Sequence, residues 1–417
     1  MRLLTVFLIF FIVLSFTTGV FPQESAEAPV TEIRFEGLKK TKESYMRTVL
    51  ERFSKIPKNS LDLHEVETAL EELKLFSEIK VTLEQDENGA FFLNIRVKEK
   101  FSFLPIPFLM YSSDQGFMGG GFVMDTNALG IRDNYLAGGV FSKNIQMALM
   151  AYSRPSLDRA HPGFSVGAAF THRDREEKNS RDRKMLEYDT MGGSVDVSLS
   201  DRITKRSRLS VGLGYNYTHI GFKKKYSEYK EKLKSFHAVK LGGGWSFSVP
   251  ELNEWFMSEK SVRINGDVSF LTTGGRAPSF DIEITIQQPL PVTRMRVLSH
   301  YAGYYSKYLP LALLPSQMVV GTTIMPEKFH SARMAGIDLG LEVGIFKMKY
   351  FVISAYGLLE QFLGDDFDGS PVMDFGYSTG VRVYLKMFAF PAISVGVSHD
   401  ITRNSLKFSA AVGIGGF

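Results

Sequence analysis

Few residues in this sequence stand in patterns that could do chemistry. Gly376-Tyr377-Ser378-Thr379-Gly380 spells the G-x-S-x-G signature that lifts a nucleophilic serine onto a strand-to-helix turn. It opens a strand with no helix behind it, so a turn-to-strand passage is expected at Ser378. Asp366-x-Asp368-Gly369, with Asp365 beside it, matches the start of a calcium loop but lacks the distal carboxylate at the needed spacing. A solvated loop is expected there. The 8 histidines show no ligand spacing, and Gly242-Gly243-Gly244 precedes no helix N-terminus that could cradle phosphate. Cysteine is absent, which removes thiol nucleophiles, thiolate metal sites and disulfides together. No catalytic residue, metal or cofactor is therefore expected, and nothing argues for an enzyme. With 49 basic against 45 acidic residues, the charge balance is too slight to argue for nucleic acid.

The elements that carry these residues begin with an address. Met1 and Arg2 precede the apolar run Leu3 to Phe16, and Thr17, Thr18 and Gly19 follow it. That order reads as a signal peptide over 1–22. The other reading is a membrane anchor, but the run falls short of the roughly 20 residues a spanning helix needs. Later stretches offer no 18 uninterrupted apolar residues, so a membrane would have to be crossed by strands. The 37 Gly, 34 Phe and 17 Tyr beside 2 Trp suit a β-barrel.

Residues 29–99 read as a small α+β domain. Thr31, Ile33 and Phe35 alternate with polar neighbours up to Gly37. Tyr45, Val49, Leu50 and Phe53 fall at helical spacing. Asp62 and Glu65 have capping-box spacing ahead of Val66, Ala69, Leu70 and Leu73. Ile79, Val81 and Leu83 alternate again, Asn88-Gly89 supplies a hairpin turn, and Phe91, Leu93, Ile95 and Val97 line the return strand. With this β-α-α-β-β order, Phe35-Glu36-Gly37, Leu70-x-x-Leu73-x-x-Phe76 and Val97-Lys98-Glu99 resemble a POTRA domain. An unrelated small α/β module is the other reading.

Residues 101–417 read as a transmembrane antiparallel β-barrel. Leu209, Val211, Leu213, Tyr215 and Tyr217 alternate with Ser210, Gly212, Gly214, Asn216 and Thr218. Val262, Ile264, Val268 and Phe270 alternate with Arg263, Asn265, Asp267 and Ser269. Apolar-out with charge on the inner face suits a wet lumen, whereas a soluble sandwich must keep its inner face dry. Such runs number about 16, an even count as barrels of this kind require. They start near 103, 116, 133, 145, 163, 186, 207, 235, 261, 278, 294, 337, 350, 377, 392 and 406. Long polar loops are expected over 173–184, 221–234, 306–336 and 363–375 at one rim, with short turns at the other. The stretch 250–261 is long for its rim.

Tyr111-x-x-x-x-Gly116, then Asp125-Thr126-Asn127-Ala128-Leu129-Gly130, and the aromatic Phe417 resemble the barrel of the BamA/TamA-like outer-membrane assembly superfamily. The resemblance implies an outer-membrane barrel with its N-terminal domain in the periplasm. It implies unfolded outer-membrane proteins as clients, with outer-membrane lipids, periplasmic chaperones and accessory lipoproteins as partners. The edge strand carrying Glu78, Ile79, Lys80, Val81 and Thr82 would accept a client by β-augmentation. The first and last strands would form an openable seam. Pro105 and Pro107 lie two apart, so their missing N–H groups fall on one strand edge, and Gly413, Gly415, Gly416 and Phe417 lie in the closing strand. The alternative is that both prolines belong to a linker. The family's sixth outer loop usually braces inside the lumen through a Val-Arg-Gly-Phe/Tyr motif, and here Met325 to Gly336 offers only Arg333. A two-partner-type exporter and a surface-exposed adhesive barrel are the rival functions.

Overall fold

The structure, a computed structural model, describes residues 30–417 except 55, 58–59, 86, 88–89, 114–115, 157–160, 182, 223–232, 253, 291–293, 315–321, 325–328, 367, 386–390 and 413–417. The chain divides into two compact units at Lys100/Phe101.

The first unit contains β1 (Val30–Glu36), α1 (Glu43–Val49), α2 (Leu63–Glu71), β2 (Phe76–Gln85) and β3 (Phe91–Glu99). β3 is the central strand, parallel to β1 and antiparallel to β2. Met46, Leu50, Val66, Leu70, Leu93 and Ile95 are all fully buried, so both helices and the odd-numbered face of β3 share a core. The opposite face is charged, with Arg96 paired to Glu36 at 2.7 Å and Lys98 to Glu78 at 2.6 Å. Asp62 caps α2 by accepting the His64 amide at 2.9 Å. The expected capping-box partner Glu65 instead faces Arg52 across the surface at 3.8 Å. Gly37 has φ +88°, and a Cβ there would overlap the Val97 carbonyl oxygen, so this strand end requires glycine. The Asn88-Gly89 turn lies outside the described residues.

The second unit is a closed antiparallel barrel of sixteen strands. In order they are β4 (Phe103–Ser112), β5 (Gly116–Asp125), β6 (Asn134–Ser142), β7 (Ile145–Arg154), β8 (Gly163–Lys178), β9 (Lys184–Arg202), β10 (Ser207–Phe222) and β11 (Phe236–Leu252). The remainder are β12 (Met257–Leu271), β13 (Arg276–Pro289), β14 (Met295–Ser306), β15 (Arg333–Lys347), β16 (Phe351–Asp365), β17 (Pro371–Leu385), β18 (Pro391–Asp400) and β19 (Ser405–Val412). Leu209, Val211, Leu213 and Leu241 are exposed on the outer wall. Ion pairs such as Lys240–Asp267 (2.9 Å) and Arg263–Glu283 (2.8 Å) line the inner one. An apolar exterior around a charged interior is the arrangement of a barrel that crosses a bilayer. Among the described residues no helix is long and apolar enough to do so.

Strand number and sidedness follow the alternation, but strand lengths correct the loop expectations. β8 runs to Lys178 and β9 starts at Lys184, so the expected loop over 173–184 is mostly strand. β16 and β17 likewise extend to Asp365 and from Pro371, and most of the stretch at 250–261 is strand, since β11 ends at Leu252 and β12 starts at Met257. The β8 extension, Arg173 to Lys178, is polar on both faces, whereas β9 and β17 bury Leu186, Tyr188 and Val372 on their inner face. The connections 126–133 and 155–162 are longer than the short turns expected for most of that rim. The first is a built turn in which buried Asp133 accepts the Leu129 amide at 3.0 Å and Asn127 accepts the Arg132 amide at 2.9 Å.

Candidate functional site

The barrel closes where β19 meets β4, and this junction is the shortest lateral pairing among the described residues. Its register runs only from Ser409↔Ser112 to Val412↔Leu109. Five junctions round the ring, β8 and β9 pair from Gly163↔Ser200 to Lys178↔Lys184. Wall height follows the same gradient. At 3.3 Å per residue and a 40° tilt, the 19 residues of β9 rise about 48 Å. The 10 of β4 rise about 25 Å.

Backbone bonds fix which edge of β4 each residue serves. The Thr126 amide donates to the Ser102 carbonyl, so even-numbered residues of β4 address β5. The Ser113 amide donates to the Phe408 carbonyl, so odd-numbered residues address β19. Pro105 and Pro107 are odd. Both belong to β4 rather than to a linker, and both lie on the same strand edge as Leu109 and Tyr111, the residues that meet Val412 and Ala410. Gly413, Gly415, Gly416 and Phe417 lie outside the described residues.

β4 is apolar on both faces. Its outward residues Phe103, Leu109 and Tyr111 are exposed, while its inward Met110 is buried with Met118, Val140 and Ala411. Phe108 and Phe122 flank that cluster edge-to-face. A period-two reading that expects a polar lumen misses this apolar inner lining.

The rim at which the chain enters β4 is the near rim. At the far rim, the described parts of the long connection, 307–314, 322–324 and 329–332, pack against inward-facing residues of the wall. The short helical turn Leu311–Leu313 packs with Leu186, Tyr188, Phe236 and Ala238. Further on, Ile324 and Phe329 are buried against Phe362, Met334 and Val372. The anchor is Glu360 of β16, a buried carboxylate that accepts from the Thr322 hydroxyl (2.9 Å), the Thr323 amide (2.6 Å) and the Thr323 hydroxyl (2.8 Å). Arg403 adds a bond to the Ile324 carbonyl at 2.8 Å while paired to Asp374. His330 meets buried Glu177 at 2.6 Å, and Tyr188 donates to the same carboxylate at 2.8 Å. Ser180, beyond β8, donates to Asp366 beyond β16 at 2.6 Å, so turns from opposite walls meet above the lumen.

Arg333 therefore does not act as the sequence suggests. It opens β15 with its side chain exposed and pairs with Asp365 at 3.1 Å, outside the lumen. The loop is held by Glu360 and Arg403 instead, whose roles no local motif announces. Ser378 lies inside β17 with the rest of the Gly-x-Ser-x-Gly pattern, and Asp368 accepts from Ser370 within its turn at 2.6 Å. In the first unit, β2 is a sheet edge, as expected for Glu78 to Thr82. The Val97 carbonyl points to β1 and the Lys98 carbonyl meets Ser77, so the odd-numbered amides of Ile79 and Val81 address the outer edge.

No protein-family model matches the sequence, and no curated protein matches it. Solved structures do share its fold. BamA from Haemophilus ducreyi lacking POTRA domains 1–3 aligns with a TM-score of 0.66 at 14% identity, covering 93% of this chain and 84% of that one. CdiB from Escherichia coli aligns at 0.63 and 13% identity, covering 93% and 77%, and CdiB from Acinetobacter baumannii at 0.63 and 12%, covering 93% and 74%. The resemblance to BamA/TamA-like barrels is thus borne out in the fold.

Proposed function

We propose that this chain is an outer-membrane protein assembly factor. In this reading the first unit is a periplasmic POTRA-type domain, and the barrel opens laterally between β19 and β4 to template the strands of an unfolded client. The observation that carries it is the seam. Its described pairing is four residues long, and the adjoining edge of β4 holds two prolines that donate nothing. Because β4 is apolar on both faces, its separation from β19 places no charged side chain in lipid. The low wall at that position leaves the bilayer thin beside it, since a short apolar band draws the bilayer thinner to match it. β2 supports the same reading, because a free strand edge pairs through its backbone and tolerates many client sequences.

The likeness to CdiB keeps a second reading in view, export of one protein through the lumen. Thr323, Ile324 and Phe329, held against the inner wall, argue against an open lumen. Timed folding of a urea-denatured barrel client in liposomes separates the two. Acceleration that is lost when residues 29–99 are removed is expected of an assembly factor. No acceleration in any lipid, with ion conductance in its place, would overturn the proposal in favour of export.

A further inference from the structure

At the near rim, the turn between β11 and β12 does not stay over its own strands. Phe256, 2% exposed, clusters with Val352 of β16 and Tyr384 of β17, meeting the tyrosine ring edge-on at 6.0 Å. The Arg296 guanidinium of β14 stands 4.5 Å from the Phe256 ring centroid. Trp255 covers the inward side of Gly344 in β15, where any Cβ would overlap the indole. Arg294 and Lys347 lie 5.2 and 5.6 Å from the Trp255 ring, and Glu254 pairs with Lys347 at 3.0 Å. β17 lies five places round the ring from β12, so these three residues reach across the mouth.

The receiving wall is built for a dry contact. Arg296, 2% exposed, donates from Nε and Nη2 to Glu342 at 2.8 and 2.6 Å, from Nη2 to Tyr384 at 2.8 Å and from Nη1 to Gln287 at 3.0 Å. Glu342, 0% exposed, also accepts from Tyr384 at 2.9 Å and Ser354 at 2.6 Å. A wet lumen would hydrate such a pair, and a buried pair is tolerated when its remaining donors and acceptors are satisfied. Phe256 is the apolar group that covers it, and a desolvated guanidinium holds an aromatic ring strongly.

We propose that residues 254–256 form a latched closure of the lumen at the near rim, with Phe256 against Arg296 as the latch and Trp255 on Gly344 as its seat. The closure is a property of the barrel itself and holds whichever way clients travel.

The chain lacks cysteine, so a single His300→Cys in mid-lumen reports access to a membrane-impermeant sulfonated maleimide. With the latch intact, labelling should be slow beside a rim control, Arg206→Cys. Adding Phe256→Ala, or Gly344→Leu to unseat the indole, should speed it about thirtyfold, as loss of a desolvated cation–π contact implies. Phe256→Tyr, which keeps the ring, should leave it slow. Heat-modifiable gel mobility identifies the folded barrel in each variant. Labelling of His300→Cys as fast as the rim control would show an open lumen and overturn the closure. Rates unmoved by both Phe256→Ala and Gly344→Leu would overturn the latch.

Discussion

Replacing Pro105 and Pro107 together with valine tests the seam most directly. Both side chains face outward from β4, where valine suits lipid and strand alike. The change adds two N–H donors to the edge that meets β19. Each added backbone bond is worth about 1 kcal/mol net, so the pair adds about 2 kcal/mol. The four described residue pairs of the seam contribute about 4 kcal/mol on the same scale. An increment of about 2 kcal/mol lowers the population of an opened seam about thirtyfold. Two readouts follow. Client folding in liposomes should slow by about tenfold or more where seam opening limits the rate. A cysteine pair at Met110→Cys and Ala411→Cys, a non-hydrogen-bonded pair expected at about 4.5 Å between Cα atoms, should oxidise more completely in the valine background. Client folding and cross-linking both within twofold of the parent protein would refute the reasoning.

Other perturbations probe separate parts of the molecule. Glu360→Ala removes the acceptor of the Thr322–Thr323 anchor, and about 3 kcal/mol of charge-assisted bonding should be lost; limited proteolysis of the far-rim connection should accelerate about a hundredfold. Ile79→Pro removes a donor from the outer edge of β2 while sparing the ladder to β3, so client acceleration should fall about fivefold with the barrel unchanged on gels. Burial raises the Glu99 pKa, but the amides of Lys40, Thr41 and Lys39 outweigh it and hold the carboxyl below its usual 4.5. A depressed folded pKa stabilises fully above the unfolded value and is lost as pH falls through the folded one. Hydrogen exchange in β1 and β3 should therefore quicken below about pH 4.5, and Glu99→Gln should flatten that dependence.

Much of the barrel was legible in the chain itself. The run Leu209 to Thr218 alternates because one neighbour is lipid and the other a charged lumen, and those two solvents impose a period of two on every spanning strand. Pattern therefore gave sixteen strands and their sidedness. The seam edge was legible as well, since the spacing of Pro105 and Pro107 places their nitrogens on one side of any strand. Which neighbour that side faces was decided by the closing register of β19 against β4. The ends of β8, β9, β16 and β17 were not legible, because the residues that cover Leu186, Tyr188, Phe362 and Val372 come from a distant part of the chain.

What occupies the lumen belongs to the tertiary structure alone. Glu360 and Thr323 stand 37 positions apart, and Phe256 reaches Arg296, Val352 and Tyr384 on three different strands. Each of these residues is unremarkable among its sequence neighbours. Their roles arise from closing a sheet into a ring, which brings distant inward-facing residues within bonding distance and excludes the water that would otherwise separate them.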